Sequence, residues 1–173
     1  DSTAKTPGLG LGPNVSATAG GSSPESPDGT VAKVFLYPSA SFTLADPAEV
    51  LGRSGGEETV KLTKSARGVE LDGNIERVEL PMDLSATTFQ VTDGNLRISA
   101  ADSSILSVTG GLNQAVALQF GNGEGTVTQT GATSFTLTGP SGQASIGSTP
   151  TTPDIGLGGA IVVGPSEDGA VLS

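Results

Sequence analysis

The sequence predicts an all-β fold: a sandwich, roll or short solenoid of many short strands, with extended Gly/Pro/Ser-rich tails at both ends. Three observations predict it. Short β-prone runs recur between turn residues, and no segment keeps apolar residues at helical spacing over three turns. Aromatic residues are scarce, with Phe 5, Tyr 1 and Trp 0, so Val, Ile, Leu and Ala must build any interior, which favours thin β layers over a bulky helical core.

Residues 1–29 read as an extended tail, because Gly, Pro, Ser, Thr and Ala dominate and Pro7, Pro13, Pro24 and Pro27 interrupt any ladder. Residues 30–148 carry the β domain. Its first run, 31–37, stops at Pro38, and a second, 41–44, stops at Asp46-Pro47. Residues 46–51 are the one helix-like candidate, a short turn opening with Pro47 after an Asp cap. Strand-like runs follow at 59–62, 69–71, 75–80, 88–92, 95–99, 105–109, 115–120, 126–130 and 134–138. Asp72-Gly73, Asp93-Gly94, Gly110-Gly111 and Asn122-Gly123 stand where tight turns belong, and Asp93-Gly94 between two alternating runs is the clearest hairpin signal. Residues 149–173 form a second extended tail, whose apolar run Ala160-Ile161-Val162-Val163 is a candidate edge strand.

Two internal echoes run through these elements. A Phe follows a hydroxyl residue at Phe42, Phe89 and Phe135, about 46 residues apart, and Gly, Glu and Val recur together at 56–60, 73–78 and 123–127. Spacing of this kind fits stacked coils or layers.

Composition also removes function classes. Without Cys there is no disulfide, thiolate metal site or cysteine nucleophile, and without His there is no Ser-His-Asp triad or imidazole ligand. The net charge is −10 and the last basic residue is Arg97, so the surface repels phosphate backbones and no nucleic-acid partner is expected. No apolar run approaches the ~20 residues needed to span a bilayer, so no membrane span is expected. A start at Asp1 followed by small residues is what a processed, mature product would show.

The stretch Gly55-Gly56-Glu57-Glu58-Thr59-Val60-Lys61-Leu62, followed by Gly68-Val69-Glu70-Leu71-Asp72-Gly73-Asn74-Ile75-Glu76-Arg77-Val78-Glu79-Leu80, resembles segments of repeats-in-toxin (RTX) secreted proteins and bacterial adhesins. The likeness covers residues 55–95. It implies an extracellular β-roll or β-solenoid exported by a type I secretion system, with surface, matrix or adhesive roles. The defining nonapeptide of that family, G-G-x-G-x-D-x-U-x, is missing, so its calcium stacks are not carried over.

Asp72, Glu76, Glu79 and Asp83 form the densest acidic cluster and are the candidate calcium ligands, since calcium takes six or more oxygens; the alternative is a solvated strand face on which Arg77 offsets part of the charge. Glu57 and Glu58 are the candidate paired carboxylates for glycoside hydrolysis, but neighbours in a strand point to opposite faces and Trp is missing, so no enzyme and no cofactor are expected. Gly8-Leu9-Gly10-Leu11-Gly12 lacks the strand, helix and Gly-Lys of a phosphate loop, and Asn14-Val15-Ser16 matches a glycosylation sequon. Arg77 and Arg97 suit pairing with acids across strands, or docking on an acidic neighbour.

The expected function is that of an extracellular or cell-surface bacterial structural subunit, a homo-oligomer or polymer. Val31, Val34, Phe35, Leu36, Ile161, Val162 and Val163 would add as strands to the next copy and build a filament, sheath or surface layer. The alternative is an adhesive or carbohydrate-binding module with a glycan partner.

Overall fold

Side chains at alternate positions of a strand face opposite sides, so runs that alternate apolar with polar residues settle with one face on a shared interior. The structure, a computed structural model, describes residues 31–101 and 103–159. Its strands are β1 (Ala32–Phe35), β2 (Ser41–Leu44), β3 (Ala48–Leu51), β4 (Thr59–Leu62), β5 (Val69–Asp72), β6 (Arg77–Glu79) and β7 (Thr88–Thr92). They continue with β8 (Asn95–Ala100), β9 (Ser103–Thr109), β10 (Val116–Phe120), β11 (Gly123–Gly131), β12 (Ser134–Gly139) and β13 (Gly142–Ile146). Among the described residues the one helical element is a 3-10 turn at Leu84–Ala86. The protein is all-β.

The strands form a six-stranded sheet, β1-β3-β5-β9-β8-β7, and a seven-stranded sheet, β13-β12-β11-β10-β6-β4-β2. From β1 to β6 the chain crosses from one sheet to the other with every strand; β1 to β4 each pair in parallel with the strand two places on, and β5 and β6 pair in parallel with β9 and β10. This is a β-roll, in which one coil supplies one strand to each sheet. Ser41 pairs with Thr59 and Thr59 with Arg77, a step of 18 residues each time. The hairpin β7–β8 is inserted before the next coil, so Arg77 meets Ala117 only 40 residues later. Beyond β10 the chain runs antiparallel through β11, β12 and β13.

In-register aliphatic ladders fill the space between the sheets. Val60, Val78 and Leu118 stack in one sheet and Val50, Leu71 and Val108 in the other, all buried. Burying such a side chain contributes roughly 1.5–3 kcal/mol, and the ladders fix register, since a one-residue slip would turn each set outward. Phe89 and Phe120 meet at 6.3 Å between centroids.

The expected helical turn at 46–51 is instead strand β3. Ala48 and Val50 are buried while Glu49 and Leu51 are half-buried, a period of two, and Glu49 ion-pairs across the ladder with Lys33 at 2.7 Å. Pro47 marks the start of a strand here rather than the first turn of a helix. Strand β13 lies in a stretch of Gly, Gln and Ser that gives no strand signal; its pairing with β12 defines it. The predicted hairpin at Asp93-Gly94 is present, both residues having positive φ, 51° and 78°.

The two ends of the roll differ. At the first coil, among the described residues, β1 pairs only with β3 and β2 only with β4. At the other end residues 147–158 fold back on the domain. Val91 N–H donates to Gly147 C=O, Phe89 and Thr151 exchange two main-chain hydrogen bonds, and Glu124 and Gly158 exchange two more. The part of the C-terminal tail that is described is therefore a strap on the β domain. The N-terminal tail and Ile161, Val162 and Val163 lie outside the described residues.

Candidate functional site

The first coils present two features: a turn built around a buried carboxyl group, and the open edge beside it. The turn joins β3 to β4. Gly55 and Glu57 both take positive φ, 69° and 59°, which curls the chain so that Glu57 faces solvent and Glu58 points inward. Glu58 is fully buried; its Oε1 accepts the Arg53 N–H at 3.1 Å, and its Oε2 has no partner. A Cβ at Gly56 would collide with this carboxyl group, so glycine makes room for it.

Glu76 stands one coil later in the equivalent place. Its carboxylate reaches back across the coil step, accepting Gly56 N–H at 3.0 Å and Glu58 N–H at 2.8 Å. Burial, with the adjacent Glu76 carboxylate, pushes Glu58 up to about 7. Burial also acts to raise Glu76, but the polar side chains beside it and the main-chain N–H groups its carboxylate accepts outweigh that and lower Glu76 from the usual glutamate range. One carboxyl group thus stays protonated to near neutral pH while its neighbour is held as the anion. Glu58 braces its own turn through Arg53, and Glu76 ties that turn to the next.

Asp72 does the same on the neighbouring strand end. Its Oδ1 accepts the N–H groups of Gly52 and Asn74 at 3.1 and 3.2 Å, and Asn74 is bound in turn by Asn113 at 2.8 Å. A polar ladder of turns therefore runs along this side of the roll.

The four acids proposed for calcium are distributed by the fold. Asp72 and Glu76 flank the β5–β6 turn with their oxygens committed to main-chain N–H groups. Glu79 lies on the sheet face between Lys61 at 3.3 Å and Arg77 at 3.8 Å, and Asp83 precedes the 3-10 turn. Among the described residues no group of three or more acidic side chains is placed to hold a metal ion. The spacing grouped these residues, but the coil sends them to a turn, a face and a loop.

Glu57 and Glu58 likewise diverge, one exposed and one buried, which separates the carboxylates suggested for sugar hydrolysis. Arg77 pairs across strands, with Glu124 at 2.6 Å and Gln119 at 3.0 Å, while Arg97 is exposed on β8.

The open edge carries the large apolar side chains that the interior does not absorb. Val31, Phe35 and Tyr37 are 45%, 64% and 49% exposed and are the large exposed hydrophobics among the described residues. Leu36, between the last two, is buried and donates its N–H to Leu51 C=O. Phe35, Leu36, Tyr37, Leu51, Gly52 and Arg53 line a cleft of about 330 Å3. The Gly52-Arg53 backbone is shared by both features, since Arg53 N–H holds Glu58 on the inner side while the same segment borders the cleft.

Of the expected docking residues, then, Phe35 is well exposed, Val31 half-exposed and Val34 half-buried, whereas Leu36 belongs to the core. Tyr37 and the Glu58–Glu76 pair were not singled out from sequence for these roles. The signal for the pair is present, because Glu58-Thr59-Val60 and Glu76-Arg77-Val78 lie one 18-residue step apart.

No family model, curated protein or solved structure matches the chain.

Proposed function

We propose that the chain is an extracellular structural module that assembles by strand addition, and that the open end of the roll at β1 and β2 is where it joins another β unit. The observation that carries this reading is that the exposed large apolar side chains, Val31, Phe35 and Tyr37, gather on or beside a strand whose outer edge pairs with nothing among the described residues. Such an edge offers free main-chain donors and acceptors together with apolar area, the two things strand addition uses. The resemblance of residues 55–95 to secreted surface proteins supports the extracellular setting. A filament or layer is the form such joints build when each copy has two of them.

Lys33→Pro tests the reading. Alternation along β1 turns the N–H of Leu36 toward β3, so that of Lys33 faces outward, and proline there removes an edge donor without removing a main-chain hydrogen bond to β3, at the loss of the surface Lys33–Glu49 ion pair. Sedimentation of the full chain should show assembly that Lys33→Pro loses while the β-sheet circular dichroism is kept. Equal assembly by the two proteins would reject the open edge as the joint. A second reading, a glycan-binding module, draws on the exposed Tyr37 beside Arg53 in the cleft. Retention of the Lys33→Pro protein on immobilised glycans would favour it.

A further inference from the structure

The open edge is self-complementary, and this identifies its partner. We infer that β1 pairs antiparallel with β1 of a second copy about a two-fold axis at Val34, so that Lys33 lies opposite Phe35 of the second copy and Phe35 opposite its Lys33. The inference rests on the strand-addition reading above and names the occupant of the same site.

Three observations lead to it. First, strand alternation puts Val31, Lys33, Phe35 and Tyr37 on one face, exposed, and Val34 and Leu36 on the other, half-buried and buried. The main-chain groups of Lys33 and Phe35 point away from β3, because Leu36 N–H points toward it. Opposing Lys33 with Phe35 therefore makes a hydrogen-bonded pair in which each N–H donates to the other residue's C=O, and the two-fold repeats it.

Second, the register is selected by side-chain fit. Lys33 is ion-paired with Glu49 of its own copy at 2.7 Å, and centring the axis on Lys33 would crowd two such ion pairs together while setting the Tyr37 ring against Gly29, which has no side chain to cover it. Centring it on Val34 lays each Lys33 stem and charge against an aromatic ring and places Val31 opposite Tyr37 of the second copy, so every outward side chain of 31–37 meets one it suits. Pro38 ends the edge by lacking an N–H.

Third, the other occupants are less well supplied. The chain just before β1 contains no Val, Ile, Leu, Met or aromatic side chain from Thr18 to Asp28, and Pro24 and Pro27 interrupt its donors, so it lacks the side chains and the unbroken ladder of another coil. The far end of a second copy is less suited: the strap takes the β7 edge through Thr151, and the outer edge of β13 presents exposed Gly142, Gln143 and Ser145 with no large apolar side chain. Like meets like at the open end, and the joint closes on itself.

The chain has no native cysteine, so single cysteines report the register directly. Across the axis the two Val34 Cα atoms would lie about 4.5 Å apart, within the reach of a disulfide. Under mild oxidation of the full chain, Val34→Cys should give a cross-linked dimer, whereas Lys33→Cys, displaced from its own mate, should give little. A second pair of variants does not depend on cross-linking. Phe35→Lys sets like charges opposite each other and should weaken the dimer about 30-fold or more by light scattering. Phe35→Glu sets a carboxylate against Lys33 of the second copy and should keep a dimer that weakens with added salt.

Equal weakening by both Phe35 substitutions, or cross-linking at Lys33→Cys in preference to Val34→Cys, would overturn this register. Assembly that Lys33→Pro abolishes but that grows into open polymers would overturn the two-fold joint while leaving strand addition standing. A chain that stays monomeric at high concentration, with Lys33→Pro and both Phe35 variants no different from it, would overturn both.

Discussion

Glu58 carries one carboxyl oxygen that accepts the Arg53 N–H and another with no partner, in a place water does not reach. Ionising it leaves a charge with half its lone pairs unmet beside the Glu76 carboxylate, and this sets a pH dependence whose sign is fixed. A carboxyl group raised to about 7 in the folded chain holds its proton more tightly there than when unfolded. Its contribution is complete below the ordinary glutamate value and is lost as pH climbs to about 7. Glu76 is lowered and acts oppositely, stabilising above the ordinary value and losing that contribution as pH falls. Stability should therefore peak near the ordinary glutamate value and decline by up to about 3 kcal/mol toward pH 7. Glu58→Gln, which cannot ionise and can donate to Glu76, should remove the decline on the neutral side and gain about 2 kcal/mol at pH 8. Urea unfolding of both proteins at several pH values checks this; an unchanged slope in Glu58→Gln would place the titrating group elsewhere.

At the scale of the strand, the ladders of identical register carry the stability and the polar turns carry the specificity. Leu71 lies in β5 with Val50 on one side and Val108 on the other. Leu71→Ala opens a cavity that neither neighbouring strand can close without losing register, and should cost roughly 2–5 kcal/mol. Glu70→Ala, one position away on the exposed face, should change stability by less than about 0.5 kcal/mol. Urea midpoints of the pair would test whether the parallel ladder is the core. Much of this was legible in the sequence, because a strand of alternating residues between turn glycines needs no tertiary information: β2, β4, β7, β8 and β12 lie where the runs lie. Two elements were hidden for opposite reasons. Strand β3 follows Asp46-Pro47, which is also a helix-opening signal, and its strand character comes from the ladders on either side of it. Strand β13 has weak propensity of its own and exists through β12. The coil step was half visible. The Gly-Glu-Val echo placed Val60 and Val78 in true register, but the Phe echo joined β2, β7 and β12, which share no ladder. The acid cluster misled because nearness in sequence is undone by a chain that changes sheet with every strand.

At the scale of the molecule, the roll is polar: its parallel coils begin at an open edge and finish in antiparallel strands secured by the strap. Sheet edges left unpaired are sites of association, so the number of open ends decides the size of the assembly. Among the described residues β1 is the edge that carries exposed large apolar side chains, so copies joined there pair and stop. The strap closes the β7 edge at the second end, since Thr151 satisfies both main-chain groups of Phe89 and Gly147 accepts the Val91 N–H, while Gly158 pairs with Glu124 of β11. Removing residues 148–173 keeps Gly147 but takes Thr151 from β7 and Gly158 from β11, which should free both main-chain groups of Phe89. The shortened chain, with part of the β7 edge opened in addition to β1, should form particles that lengthen with concentration instead of stopping at the dimer. Removing only residues 160–173 leaves the Thr151 and Gly158 contacts in place and should give the same particles as the full chain. Light scattering and electron microscopy of the three chains decide between the alternatives, because growth in the shorter truncation alone, or in neither, would show that the strap is not what limits assembly.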